Sequence, residues 1–227
     1  MKCWNCQSGL EEVLLCASCG MPQQVEVAHP FQVLSVPPKL GWDAAELQLR
    51  YENMIQRCHP DLFRAHKHEK VLSAARSAVQ VLNDAYRMLR KPVGRFRYVL
   101  VASGKTPEIT RAVPKGLQSS AQIIQRVIRA VEDAQKTSDH ELWEAQQDHL
   151  ASLQVQVEAA EKASDLILKG LTDEWDGAVD SAKGKWPRMP EDWFIQVSAW
   201  IGEREYLDSL LSRIQLGRQE PEIPVTN

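Results

Sequence analysis

The sequence predicts a mainly α-helical chain in three parts: an N-terminal four-cysteine knuckle, a helical hairpin, and a C-terminal antiparallel three-helix bundle. Three observations carry this prediction. Cys3, Cys6, Cys16 and Cys19 form two C-x-x-C pairs within the first twenty residues. Apolar residues recur at helical spacing on both sides of a His59-Pro60-Asp61 turn. Residues 117–216 read almost wholly as amphipathic helix, and no long stretch alternates as a strand would.

Residues 1–27 hold the cysteine pairs, lack apolar periodicity, and have room for a small hairpin at most. Residues 28–104 form the hairpin segment. It opens with a short helix around Phe31, Leu34 and Val36, which Pro37 and Pro38 stop. Asp43 and Glu46, three apart, match a capping box and start the next helix, whose apolar stripe is Leu47, Tyr51, Met54, Ile55 and Cys58. Pro60 biases His59 away from the helical region, so this helix ends there. A third helix buries Val71, Ala75, Ala78, Leu82, Ala85, Tyr86 and Leu89, and Pro92 follows its end. Two antiparallel helices with facing stripes leave the turn at the tip, with His59 and Asp61 on a stiff, exposed loop.

Residues 105–116, "KTPEITRAVPKG", carry two prolines and a glycine and read as a linker. In the bundle, 117–216, one stripe is Ile123 or Ile124 with Val127, Ile128 and Val131. A second is Leu142, Leu150, Leu153, Val157, Leu166 and Leu168, and a third is Trp193, Val197, Trp200, Tyr206 or Leu207, Leu210 and Leu211. Trp186, Trp193 and Trp200, seven apart, predict a packing stripe, with an enlarged partner surface as the competing reading, although "SAKGKWPRMP" breaks the helical pattern there. The polar tail 217–227 is expected to fray.

Each C-x-x-C turn presents two thiolates to one ion, and two such turns complete a tetrahedral four-sulfur site. Soft sulfur donors suit zinc, and iron takes the same set. Gly20 supplies the positive φ of a knuckle turn. Four sulfurs leave no open coordination position, so the metal is structural, not catalytic. Such binding supplies roughly 10–16 kcal/mol of apparent free energy, enough to fold a segment too small for its own core. Paired disulfides are the competing reading, but the chain starts without the apolar signal segment that a secreted disulfide protein would carry. Cys58 lies on an apolar stripe and is assigned to the core.

Composition narrows the function classes. Hydrophobic residues make up 44% and charged residues 25% of 227, an ordinary globular balance. A net charge of −3, and no Lys or Arg between the cysteine ligands, argue against nucleic acid. No apolar run reaches membrane-span length. The start MKCWNC has no apolar or Arg/Ser-rich leader, so a cytoplasmic location is expected, or the mitochondrial matrix if a presequence was removed. His59 and Asp61 come with no G-x-S-x-G nucleophile pattern, and there is no G-x-x-x-x-G-K-[ST] phosphate loop. The chain is therefore not expected to be an enzyme. A redox protein built on the C-x-x-C pairs is the reading from another class; one tightly held zinc without redox cycling would remove it.

Several segments resemble a known family. "HPFQVLSVPP", "AAELQLRYENMIQRCHPDLF" and "LNDAYRMLRKPVGRFRYVL" are similar to a J-domain, the helical-hairpin module of DnaJ-type co-chaperones. Leu62-Phe63 after the turn, and the run "LNDAYRML" through "RYVL", resemble the HscB-type co-chaperones of iron–sulfur cluster assembly. The preceding four-cysteine knuckle resembles the zinc-bearing members of that group. "DEWDGAVD" and "REYLDSLLSRI" are similar to the end of its helical bundle. The resemblance runs over residues 3–216 and is weakest at 105–135 and at 181–203, which looks like an insertion.

The resemblance implies that His59, Pro60 and Asp61, with Arg50 and Arg57 on a basic helix face, engage a DnaK/HscA-class chaperone and accelerate its ATP hydrolysis. Arg64, Lys67 and Lys70 follow the turn, a modest field for which a solvated helix face is the competing reading. It also implies that the bundle holds an iron–sulfur scaffold protein. Tyr206 matches an aromatic position of that surface, its ring buried and its hydroxyl wet. Ile123, Ile124 and Val127 stand where the family's first-helix motif would be, although the acidic part of that motif is missing. Bundle core is the competing assignment for these three. The zinc is structural, and a homodimer is compatible with the pattern. The alternative is a general J-domain co-chaperone with other clients.

Overall fold

The computed structural model describes residues 2–25, 29–66, 68–105 and 109–221. Lys67 and the tail beyond 221 lie outside the described residues. Seven α-helices are described: α1 (Pro30–Val33), α2 (Ala44–Cys58), α3 (Glu69–Leu89), α4 (Pro92–Ala102), α5 (Ala121–Thr137), α6 (His140–Ser181) and α7 (Glu191–Gly217). Two 3₁₀ segments, Pro60–His66 and Lys115–Ser120, precede α3 and α5. Among the described residues extended pairing is limited to the isolated bridges Lys2 to Gly9 and Leu15 to Pro22, both in the cysteine segment. The chain divides into two compact units, residues 1–106 with 172–190, and residues 107–171 with 191–227.

In the first unit, α3 is the hub: α1, α2, α4 and the 3₁₀ segment after the turn all pack on it. It can take so many partners because its buried face is built largely from Ala74, Ala75, Ala78 and Ala85, with Val71, Leu82 and Leu89 between them. Small side chains let neighbouring helices approach closely, and the leucines fill the remaining space. On α2 the buried residues are Leu47, Met54 and Cys58. Tyr51 remains half-exposed: its ring stacks on Tyr86 at 4.3 Å and its hydroxyl donates to Asn83 Oδ1 at 2.8 Å. Asp43 caps α2 as expected, its carboxylate accepting from the N–H groups of Ala45 and Glu46. Glu46 itself turns to Arg50, at 3.4 Å.

Pro92 does not end the hairpin segment. It is the first residue of α4, where the missing N–H is not needed and φ is already helical. Gly94 allows the sharp approach, since a Cβ there would strike the backbone carbonyl of Met88. Arg95 then donates from its buried guanidinium to Leu89 O at 2.9 Å, satisfying a carbonyl at the end of α3.

Residues 172–190 pack with this unit through the last turns of α6. Trp175 is fully buried and donates to Pro38 O at 2.7 Å. Asp176 accepts from the N–H groups of Leu40 (2.6 Å) and Gly41 (3.0 Å), and Lys39 meets Asp180 at 2.7 Å. Trp186, expected in one stripe with Trp193 and Trp200, lies instead in the connection after α6. There it meets His29 and Trp175 edge-on at 4.9 and 5.2 Å. The glycine and prolines of "SAKGKWPRMP" end α6 and start α7, so no continuous helix carries all three tryptophans.

The second unit is an antiparallel bundle of α5, α6 and α7 around Ile124, Val127, Ile128, Val131, Leu150, Leu153, Val157, Leu207, Leu210 and Ile214. Trp193 and Trp200 are buried, and Trp200 donates to Ser164 Oγ at 3.0 Å. Leu166, predicted for the second stripe, is 73% exposed. On α6 the core-facing positions near it are Ser164 and Leu171, which put Leu166 on the opposite face.

Removing the Asp176 carboxylate strands two backbone N–H groups. Asp176→Ala is expected to lower stability by about 1–3 kcal/mol, read as a drop in the thermal midpoint, with Asp176→Asn losing less because it keeps one acceptor.

Candidate functional site

The cysteine segment folds as two copies of one turn. In the first, Cys3 N–H donates to Ser8 O (2.8 Å) and Gln7 N–H to Cys3 O (3.0 Å). In the second, Cys16 N–H donates to Met21 O (3.0 Å) and Gly20 N–H to Cys16 O (2.8 Å). The residue after each pair is left-handed, Gly20 at φ 71° as expected and Gln7 at φ 64°. Trp4 joins the two turns by donating its indole N–H to Pro22 O at 2.8 Å.

This geometry brings the four sulfurs together, all within 4.8 Å of one another. Cys3 and Cys19 are 3.7 Å apart, and Cys6 and Cys16 3.6 Å. Sulfurs bonded at about 2.3 Å to a tetrahedral zinc would stand about 3.8 Å apart, so the set fits a metal ion. It does not fit disulfides, whose sulfurs bond at about 2.05 Å, and all five cysteines are free.

The thiols push one another's ionisation apart. The Ser8 hydroxyl, with help from backbone N–H groups and against burial, draws Cys16 down to about 6. At Cys19 the Met21 N–H favours the thiolate, but burial and the Cys6 and Cys16 sulfurs prevail and push it up to about 11. Four adjacent thiolates repel one another, and a divalent cation relieves that repulsion. Cys58, at the end of α2, is buried as predicted, and burial pushes its thiol up.

The turn after α2 has the expected exposure. His59 and Asp61 are about half exposed, Leu62 is 59% exposed, and Phe63 is buried beneath them. Asp61 N–H donates to His59 Nδ1 at 3.3 Å, which makes that nitrogen an acceptor. The Asp61 carboxylate already has a cation: Arg64 lies 2.8 Å away. His68 caps α3, its Nδ1 accepting from Lys70 N–H.

The arginines read as a basic face are also engaged. Arg50 lies over the Trp42 ring at 5.2 Å and pairs with Glu46. Arg57 pairs at 2.8 Å with Glu12 of the cysteine segment, 45 residues away in sequence. Lys70 sits 4.6 Å from the centre of the Trp4 ring, and Ser77 donates to Val25 O. No sequence signal links Glu12 to Arg57 or Trp4 to Lys70; only the fold brings them together.

The bundle residues divide. Ile123 is 57% exposed on α5. Ile124 and Val127, expected on the same partner surface, are buried in the bundle core. At helical spacing, these three residues cannot all face outward while α5 keeps a core stripe. Tyr206 packs partly against that core, and its hydroxyl, expected to be wet, is buried with no hydrogen-bond partner among the described residues. Among the described residues, no helix is long and apolar enough to cross a membrane.

No protein-family model matches the chain. It is 26% identical over 149 residues to a "Co-chaperone protein HscB homolog" of Vibrio vulnificus, covering 61% of this chain and 86% of that one. It is 32% identical over 116 residues to the human "Iron-sulfur cluster co-chaperone protein HscB", so it spans 48% of that protein's length and the match covers 48% of its own. In fold it is similar to the crystal structure of human co-chaperone HscB, with a TM-score of 0.59 at 21% identity over 95% of this chain and 98% of that one. It is also similar in fold to chaperone HscB from Vibrio cholerae, with a TM-score of 0.55 at 17% identity over 83% and 96%. The resemblance to HscB co-chaperones carried by the turn, the hairpin and the four-cysteine cluster thus extends to relatives and to the fold.

The sulfur geometry predicts one divalent ion per purified chain by elemental analysis. Cys16→Ser, which removes a buried ligand, is expected to leave well under half an equivalent bound and to expose the remaining knuckle thiols to titration with a thiol reagent.

Proposed function

We propose that this protein is a co-chaperone that docks on a DnaK/HscA-class chaperone through His59, Pro60 and Asp61, accelerates that partner's ATP hydrolysis, and delivers to it an iron–sulfur scaffold protein held on the bundle. The observation that carries the reading is the turn itself. Two side chains that offer a carboxylate and an imidazole stand exposed on a proline-stiffened bend, which the α2–α3 packing holds from below. A carboxylate so placed can accept a bidentate bond from a partner arginine. The ATP belongs to the partner, since this chain has no phosphate-binding loop. The names of the relatives support a co-chaperone role.

In this reading residues 1–27 are a structural zinc knuckle, 28–104 the J-domain, 105–116 a linker, and 117–216 the scaffold-binding bundle. Holding both partners raises the effective concentration of scaffold at the chaperone. Of the residues proposed for the scaffold, Ile123 offers the contact surface, and Tyr206 stands at the edge of the core. Ile124 and Val127 act from beneath, by setting the position of α5. The compartment in this reading is the cytoplasm, or the mitochondrial matrix if a presequence is removed.

A general J-domain co-chaperone with other clients is the second reading. It is favoured by the burial of Ile124 and Val127, which leaves the first-helix surface with less apolar area than the resemblance implies.

Asp61→Ala is expected to abolish ATPase stimulation in a steady-state assay while leaving scaffold binding unchanged; equal loss of both would contradict the reading. Ile123→Asp is expected to show the reverse, weakening scaffold capture several-fold with stimulation by the scaffold-free protein intact. If Ile123→Asp binds scaffold normally, the general co-chaperone reading gains.

A further inference from the structure

The cysteine knuckle lies against the helices on either side of the docking turn. Among the described residues, three polar or ring contacts help to attach it. Glu12 meets Arg57 on the last turn of α2 at 2.8 Å, Lys70 on the first turn of α3 covers Trp4 at 4.6 Å, and Ser77 donates to Val25 O at 3.1 Å. Arg57 is in the last turn of the helix before His59-Pro60-Asp61 and Lys70 in the first turn of the helix after it, so the knuckle contacts both helices that carry the turn. A partner that reads the face of α2 bearing Arg50 and Arg57, seven residues apart, must present acidic groups to it. Glu12 is itself acidic and already occupies one of those cations.

We infer that the knuckle forms part of the chaperone-facing surface, and that Glu12 tunes the affinity of that surface by holding Arg57 against an acidic group of the incoming chaperone. The inference rests on the reading of the turn given above. The arrangement is a competition. Arg57 is 52% exposed and Glu12 29% exposed, so the pair is open to solvent on one side and is exchanged without unfolding anything. Forming the complex requires Arg57 to leave Glu12 or to share it, and the remaining carboxylate then faces the acidic partner as a like charge. Both effects lower affinity. Glu12 is not a chance side chain on a loose segment, because the Trp4 and Val25 contacts fix the knuckle on α3 at two other points. Asp61 is restrained in the same manner by Arg64 at 2.8 Å, so two groups that the partner would engage are paired internally in the free protein.

The test is the affinity of the full-length chain for a purified DnaK-class chaperone with ATP, measured by fluorescence anisotropy at low and at physiological salt. Glu12→Gln keeps the shape of the side chain and removes its charge. It is expected to tighten Kd two- to fivefold at low salt, the range of an exposed ion pair, with a smaller gain at higher salt. In an Arg57→Gln background the same change is expected to give a clearly smaller gain, because only the like-charge part is left to remove. Glu11→Gln removes the same charge one residue away and is expected to change Kd less than Glu12→Gln. Metal content equal to wild type shows the knuckle intact in each variant. An unchanged or weaker Kd for Glu12→Gln overturns the inference, as does an equal gain with Arg57→Gln or with Glu11→Gln, since that gain would come from net charge alone. If the wild-type chain fails to bind the chaperone, the docking role of the turn falls first, and that result is distinct from a bound complex that ignores Glu12.

Discussion

The packing of α2 and α1 onto the alanine face of α3 is the constraint on which the first unit depends. Ala74, Ala75, Ala78 and Ala85 are each buried to within a few per cent, and no larger side chain could occupy their places without forcing the helices apart. With the helices this close, Leu47 and Met54 of α2 fill the seam, and Cys58 and Phe63 close it beneath the bend. Because Phe63 is pulled inward, Leu62 and the polar residues before it are turned outward. The exposure of His59 and Asp61 therefore follows from burial elsewhere, and the proline adds stiffness to a position the core has already chosen.

Around this frame, the polar groups are largely matched inside the molecule. Asp61 has Arg64, Arg57 has Glu12, and Arg50 has Glu46 and the face of Trp42. These pairs lie at the surface, where their net worth is small. In the docking reading proposed above, their consequence is for recognition, because a partner would compete with groups already in place. A surface that looks basic in the sequence is closer to neutral in the fold, and the four-cysteine knuckle supplies part of the neutralising charge.

The bundle shows the same logic with apolar groups. A helix of α5's length has one face to give to its neighbours, and Ile124, Val127, Ile128, Val131 and Ala134 take it. Ile123, one position around the helix, is left outside. On α7 the tryptophans reach inward and use their indole nitrogens on α6, as Trp200 does with Ser164. This satisfies the one polar atom that each buried ring carries.

The sequence by itself determined the helical class, the four metal-type thiols, the end of α2 at the proline, and most of the apolar stripes. All of these follow from local spacing, which the sequence states directly. Spacing places Pro92 after the end of α3 and does not mark the helix that starts there, because proline both ends and begins helices and only Gly94 and the buried Arg95 decide between them. Tertiary structure alone decided which of Ile123 and Ile124 faces the solvent, that Trp186 leaves the company of Trp193 and Trp200, that Asp176 holds the loop at Leu40 and Gly41, and that Glu12 reaches Arg57. Each of these depends on residues far apart in the chain being brought within a few ångströms. Spacing along one helix fixes the direction of a side chain to within a face, but only the neighbouring element fixes what it meets.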